Sequence, residues 1–274
     1  MSRYAAMFGR LRQRGDAAFG AFLMLGDPDV NGCAARLDSL VAGGADMIEV
    51  GIPFSDPIAD GPVIQAAAAR ALDSGIRAAH CFDLIAGFRE RHPHVPLGIL
   101  TYANVVLARG REHFFRHAAE AGVDSLLVAD VPACEAEPWV AGMRDAGIDP
   151  VLIAAANTPP ETVRTIARLS RGYTYCVSRP GITGTHQRGR FDGTLVQRLV
   201  AAGGAPPVFG FGISTPEHVR AALDSGARGV ICGSAIVDLA SRGGNVAELV
   251  GLLKSATFND KARERLGGAM IESP

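Results

Sequence analysis

Eight short apolar, β-branched runs recur along the whole chain, and segments of helical period alternate with them. The runs are AFGAFLML (18–25), DMIEV (46–50), LGILT (97–101), DSLLVA (124–129), DPVLIA (149–154), GYTYCV (172–177), PVFGF (207–211) and RGVIC (228–232). The intervening segments include VNGCAARLDSLVAGGA, REHFFRHAAEAG, EPWVAGMRDAG, PETVRTIARLSR and TPEHVRAALDSG, and NVAELVGLLKSA follows the last run. Glycine closes many of these helices and Asp or Pro opens several, as helix stop and start signals do. Repeated strand–helix alternation predicts a parallel sheet with right-handed crossovers. Such a sheet is either open and doubly wound or closed. Eight units with no linker between them favour closure, and 274 residues suit a barrel that needs roughly 250. The expected architecture is α/β, a single (β/α)8 TIM barrel over residues 1–274. An extra N-terminal helix and a short phosphate-binding helix after the eighth strand complete it.

Composition removes several functional classes. Hydrophobic residues make up 48% and charged residues 20%, so a packed core is easily supplied. Lys+Arg number 27 against 28 for Asp+Glu, which leaves no basic field for nucleic acid or an anionic membrane. No apolar run approaches the roughly 18 residues of a membrane span. The start, MSRYAAMFGRLRQRGDAAFG, lacks the apolar core of a secretion signal and reads as an amphipathic helix. Cysteines at 33, 81, 134, 176 and 232 form no CxxC and lie near no histidine pair. Free thiols in a reducing, cytoplasmic setting are expected, with no structural zinc. Lysine occurs at only 254 and 261, so a Schiff-base mechanism has no amine in the body of the chain.

Three connections are longer than a barrel needs: 51–62, 178–192 and a small extra turn after Cys232. All follow strand C-termini, where barrels of this kind build their active sites. In ADMIEVG, alternation puts Met47, Glu49 and Gly51 on one face of a strand and Ile48 and Val50 on the other. Glu49 is therefore a carboxylate at a buried strand end, where desolvation raises its pKa toward a useful acid–base value. The competing reading is a structural carboxylate satisfied by an arginine or by backbone amides. The next loop, GIPFSDPIADGPVIQ, is restrained by Pro53, Pro57 and Pro62. It either holds Asp60 over the barrel mouth or uses Asp60 to start a helix. Glycine turns after the last two strand runs, GFGIS (210–214) and CGSAIV (232–237), either offer backbone amides to a phosphate or are tight turns that merely close the barrel. The stretch SRPGITGTHQRGR (178–190) has the composition of a lid or an ordinary surface loop.

Together, LGDPD (25–29), MIEVGIPFSDPIADGPVIQ (47–65), YAN (102–104), DSLLVADVP (124–132), GYTYCVSRPGITGT (172–185), GFGIS and GSAIV resemble the tryptophan synthase α-subunit family. They do so in order and over almost the whole chain. The resemblance implies cleavage of indole-3-glycerol phosphate to indole and glyceraldehyde 3-phosphate, without a cofactor or a metal. It implies Glu49 and Asp60 as catalytic carboxylates, Tyr175 lining the site, and Thr183 on a closing loop bonded to Asp60. Gly184, Gly212, Gly233 and Ser234 would hold the phosphate. Phe22, Leu100, Tyr102, Leu127, Ala129, Ile153 and Phe211 would form an apolar slot for the indole ring. Asp56 and Pro57 would touch a tryptophan synthase β subunit in an α2β2 complex. The chain departs from the family pattern at IAAANTPP (153–160), at Met24, where a small hydroxyl residue is usual, and at Pro180.

The chemistry agrees with the resemblance. Breaking this carbon–carbon bond needs an electron sink, and an indole protonated at C3 is one. Glu49 would supply and later retrieve protons, and Asp60 would stabilise the ring N–H. A stand-alone lyase releasing free indole, a degenerate barrel kept as a phosphate-binding partner, and a phosphosugar isomerase are the alternatives. The degenerate barrel would lack Glu49 or Asp60, and the isomerase would not need so large an apolar slot.

Overall fold

A computed structural model of the protein describes residues 2–178 and 191–259. Its strands are β1 (Ala18–Met24), β2 (Met47–Gly51), β3 (Leu97–Thr101), β4 (Ser125–Val128), β5 (Asp149–Pro150), β6 (Ile153–Ala155), β7 (Thr174–Val177), β8 (Pro207–Phe209) and β9 (Gly229–Cys232). All pair in parallel, in the order β5-β4-β3-β2-β1-β9-β8-β7-β6. The two edges of this sheet, β5 and β6, are halves of the fifth expected strand and are separated by Val151 and Leu152. One chain segment therefore joins both edges, and the sheet closes as a TIM barrel.

The expected single strand at 149–154 is thus broken. Ser125↔Asp149 and Leu126↔Pro150 pair the lower half with β4, while Ile153↔Tyr175 begins the pairing of the upper half with β7. Pro150 carries no N–H to donate, so it weakens the ladder where the strand changes partner. The seventh run also ends early, at Phe209, because the glycines that follow turn the chain.

The helices lie outside the barrel. They are α1 (Arg3–Arg14), α2 (Val30–Ala42), α3 (Pro62–Asp73), α4 (Ala78–Arg91), α5 (Ala103–Leu107), α6 (Arg111–Glu120), α7 (Glu137–Asp145), α8 (Pro160–Leu169), α9 (Gly193–Ala201), α10 (Pro216–Asp224), α11 (Ser234–Ser241) and α12 (Val246–Ser255). Most bury an apolar stripe, whereas the short α5 buries only Val106. In α8 the stripe consists of Val163, Ile166, Ala167 and Leu169, at the 3–4 residue spacing a helix requires. Side-chain caps satisfy free N–H groups at several starts: Asp29 accepts from Gly32 N at 2.8 Å before α2, and Thr215 from His218 N before α10. Among the described residues, no helix is long and apolar enough to cross a membrane.

Helix α1 seals the end of the barrel where the strands begin. Arg3 pairs with Asp124 at 2.8 Å, just before β4. The Tyr4 hydroxyl reaches Ser125 Oγ at 2.9 Å. Gly98 makes room for this plug, because a Cβ there would lie 2.3 Å from Ser125 Oγ and 3.0 Å from the Tyr4 hydroxyl. Tyr4 then reaches upward, its ring 5.4 Å from that of Tyr173.

Candidate active site

Strand register shows which side chains share a face. The bond from Tyr173, just before β7, to Glu49 on β2, strands that are not neighbours in the sheet, shows that the face of Glu49 is the inner one. In a parallel sheet, paired residues project to the same side. Phe22 pairs with Glu49, Gly51 with Leu100, Leu100 with Leu127, and Ile153 with Tyr175. Tyr102 and Ala129 continue the alternation two residues beyond Leu100 and Leu127. Glu49 therefore shares one inward face with Phe22, Leu100, Tyr102, Leu127, Ala129, Ile153 and Tyr175, whereas Phe211 lies in the bend past the end of β8. Phe22, Tyr102, Leu127 and Tyr175 are buried, and Leu100, Ala129, Ile153 and Phe211 are half-buried. Phe211 stands edge-on to Tyr175, 5.8 Å between ring centroids.

Glycine keeps this interior open. A Cβ at Gly210 would fall 1.9 Å from the Tyr175 hydroxyl, and one at Gly51 would fall 2.9 Å from both Phe22 Cζ and Met24 Cε. The unusual Met24 thus lies over Gly51 beside Phe22, where it adds bulk to one wall of the slot. A second departure, 153–160, runs from β6 into α8 through a tight turn in which Thr158 Oγ1 accepts from Ala155 N at 2.8 Å.

Glu49 is 3% exposed. Its Oε1 accepts a 2.7 Å hydrogen bond from the Tyr173 hydroxyl, while Oε2 is buried without a partner among the described residues. Burial pushes its pKa up to about 7, the Tyr173 bond pulls it down, and the charge of Asp60 pushes it up. An ionised oxygen left without a partner in such a place is costly, so the neutral acid dominates below that pH. This carboxyl is poised to give a proton and take one back near neutrality.

Asp60 is half-buried in the loop after β2. Tyr102 donates to its Oδ2 at 2.9 Å, and Ala59 N donates to the same tyrosine oxygen at 3.2 Å. Burial raises the Asp60 pKa and the Tyr102 bond lowers it. The alternative that Asp60 starts a helix fails, because Gly61 is the N-cap of α3 and no side chain caps it. On the outer side of the loop Asp56 is exposed, Pro57 half-buried and Ile58 73% exposed.

At the opposite rim, Gly212 has φ +80°, a conformation that favours glycine, and Gly233 is the N-cap of the eight-residue α11, which starts at Ser234. Gly233 approaches the slot: its Cβ position lies 3.6 Å from Phe22. The start of a helix there offers backbone amides to an anion. Thr183 and Gly184 lie outside the described residues, as do Pro180 and most of the glycine-rich stretch around it. Among the described residues no cluster of three or more His, Cys, Asp or Glu could hold a metal.

Two site residues escape the sequence reading. Tyr173 bonds Glu49 directly, and Tyr4 supports Tyr173 from below. The first was within reach, since Tyr173 has the parity of Tyr175. No local signal tied Tyr4, on a helix outside the barrel, to a carboxylate at its centre.

Residues 8–261 match the family model described as tryptophan synthase alpha chain. The tryptophan synthase alpha chain of Klebsiella pneumoniae is 46% identical over 243 residues, 88% of this chain and 90% of that one. That of Escherichia coli is 43% identical over 267 residues, 97% of this chain and all of the relative. Among solved structures, Mycobacterium tuberculosis tryptophan synthase superposes with a TM-score of 0.87 at 31% identity, covering 94% of this chain and 99% of that one. The α subunit from Legionella pneumophila gives 0.85 at 27% identity, covering 94% and 98%. With a matching family model over nearly its whole length and relatives above 40% identity, the chain belongs to the tryptophan synthase alpha chain family.

Proposed function

We propose that Glu49 and Asp60 carry the reaction of this family, the cleavage of indole-3-glycerol phosphate to indole and glyceraldehyde 3-phosphate. The observation that carries this assignment is Glu49 itself: an inward carboxyl with a pKa near 7, facing an apolar slot, with a second carboxylate close enough to shift it. Protonated Glu49 gives its proton to C3 of the indole ring, which leaves the ring as an iminium. Asp60 stabilises the ring N–H as positive charge develops there. The Glu49 carboxylate then takes the proton of the hydroxyl on the carbon attached to C3. The bond between that carbon and C3 breaks, its electron pair returns to the ring, and an aldehyde forms. One proton enters at C3 and one leaves the hydroxyl, so no cofactor is required.

The slot of Phe22, Leu100, Tyr102, Leu127, Ala129, Ile153, Tyr175 and Phe211 holds the ring against Glu49 and excludes water. Gly212, Gly233 and Ser234, with Gly184, take the phosphate through backbone amides, and Thr183 engages Asp60 when its loop closes. The partner of this family's α subunit is the β subunit, and Asp56 and Pro57 meet it beside the exposed Ile58. The barrel acts as a single domain, and its five free cysteines suit the cytoplasm. Measuring indole formed from indole-3-glycerol phosphate by wild type, Glu49→Gln and Asp60→Asn tests the assignment. Loss of turnover in both variants with ligand binding retained is the expected outcome.

A further inference from the structure

The barrel wall is not continuous. Above Leu126↔Pro150, β4 has no paired neighbour on that side, because β6 pairs only with β7. The last backbone bond across this seam is Val151 N to Leu126 O, at 3.0 Å. A cavity of about 420 Å³ occupies the split. Its lining comes from two layers. Ala129 and Ile153 belong to the inward face that forms the slot, whereas Trp139, Val140 and Met143 come from α7, outside the barrel, and Leu152 lies in the break itself.

The walls are apolar on both sides. Ala136, Val140 and Leu169 form a small hydrophobic cluster separate from the main core, with Val131 and Leu152 packed on it. The charged groups at the margin are already engaged. Asp130 accepts from Ala103 N at 2.7 Å, and the Arg111 guanidinium lies over the Trp139 ring at 5.3 Å. Among the described residues that line the cavity there is no lysine, arginine or histidine to receive a phosphate. The volume falls within the roughly 300–1,000 Å³ of small-molecule sites, and an apolar cavity of only about 150 Å³ takes benzene in another protein.

We propose that this seam is a second binding site, beside the slot and sharing Ala129 and Ile153 with it as a common wall, for an uncharged planar aromatic of the indole class. Such a ring would lie between Ile153 and Trp139, stacked or edge-on to the only tryptophan in the chain. Naming indole as the ligand rests on the proposed reaction, which releases that ring on the other side of Ala129 and Ile153. The product would then have a place to move to without opening the phosphate end of the site.

The test is to crystallise the full chain with 5-bromoindole, locate bromine by anomalous scattering, and count sites by calorimetry. Bromine beside Trp139, with two sites per chain, is the expected result. Val140→Phe should then lower the count to one, clear the seam, and leave cleavage of indole-3-glycerol phosphate within about twofold. Ala133→Phe, on the half-buried rim of the cavity, gives the same reading if the first variant folds poorly. Bromine in the slot alone, a count unchanged by both variants, or a seam filled by side chains of a second copy would each overturn the proposal. Bromine in the seam of a wild-type protein that forms no indole would overturn the proposed reaction and leave the seam site standing.

Discussion

Replacing Tyr173 by Phe should move the ionisation of Glu49 upward and carry the pH dependence of the reaction with it. The Tyr173 hydroxyl donates to Glu49 Oε1 at 2.7 Å and favours the ionised form, which holds the pKa near 7 against a buried setting that pushes it higher. A hydrogen bond to a charged group contributes about 1.5–3 kcal/mol. At 1.36 kcal/mol per unit, losing it should raise the pKa by roughly one to two units. In the proposed sequence Glu49 starts protonated, so kcat/KM falls as pH rises through its pKa. The variant should therefore keep its activity to higher pH, with the falling limb displaced upward by that amount. Stability supplies a second reading with the opposite use of the same shift. The folded chain holds a proton on Glu49 from about pH 4.5 to 7 that the unfolded chain has released. The resulting stabilisation is complete below that window and is lost as pH rises through it, by roughly 3 kcal/mol. In Tyr173→Phe the loss should continue beyond pH 7. Kinetic profiles with indole-3-glycerol phosphate and denaturant melts at a series of pH values would measure both. A falling limb that stays in place or moves to lower pH would refute the reasoning.

Two further outcomes follow from the geometry and a third from the proposed role of Thr183. Gly210→Ala drives a methyl into the Tyr175 ring at 1.9 Å, so it should lower both turnover and thermal stability, whereas Gly210→Ala combined with Tyr175→Leu should recover stability but not turnover. At the phosphate end, Gly233→Val meets ordinary contact with Phe22 in the free protein, so it should fold normally yet raise KM steeply, with inorganic phosphate no longer competing. If Thr183 engages Asp60 as proposed, a double-mutant cycle on kcat/KM for Asp60→Asn and Thr183→Val should be far from additive, because each change would remove that one contact; strict additivity would separate the two loops.

Much of this was legible in the sequence because the features are short-range. The parity of ADMIEVG put Glu49 on one face with Gly51, and the restraint of PFSDPIADGP marked the loop that carries Asp60. What parity does not say is which face is inward. That follows from the bond of Tyr173, just before β7, to Glu49 on β2, a contact across the barrel. The same rule applied to GYTYCV would have placed Tyr173 with Tyr175. Tyr4 lay beyond it, because its role depends on α1 docking under a barrel more than a hundred residues long. The break in the fifth strand was hidden for a similar reason. DPVLIA reads as one apolar run, and Pro150 is the sole local sign that the strand changes partner in its middle. Helix α4 has its apolar residues at 81, 84, 85 and 88 and was open to the same periodicity argument, whereas the five residues of α5 are too few to show a period. Thr183 and Gly184 fall outside the described residues, and their part in the site rests on the family resemblance.

The most direct test of the central claim is indole release from indole-3-glycerol phosphate by Glu49→Gln, beside wild type and with and without a β subunit. The amide is nearly isosteric with the acid, still accepts from Tyr173, and cannot give a proton to carbon. The account predicts that the variant binds indole-3-glycerol phosphate about as well as wild type and turns over at least 10²-fold more slowly, both alone and with the β subunit. A variant that retains about a third or more of wild-type turnover would contradict it, since a single residue that both donates and retrieves the proton cannot be dispensable.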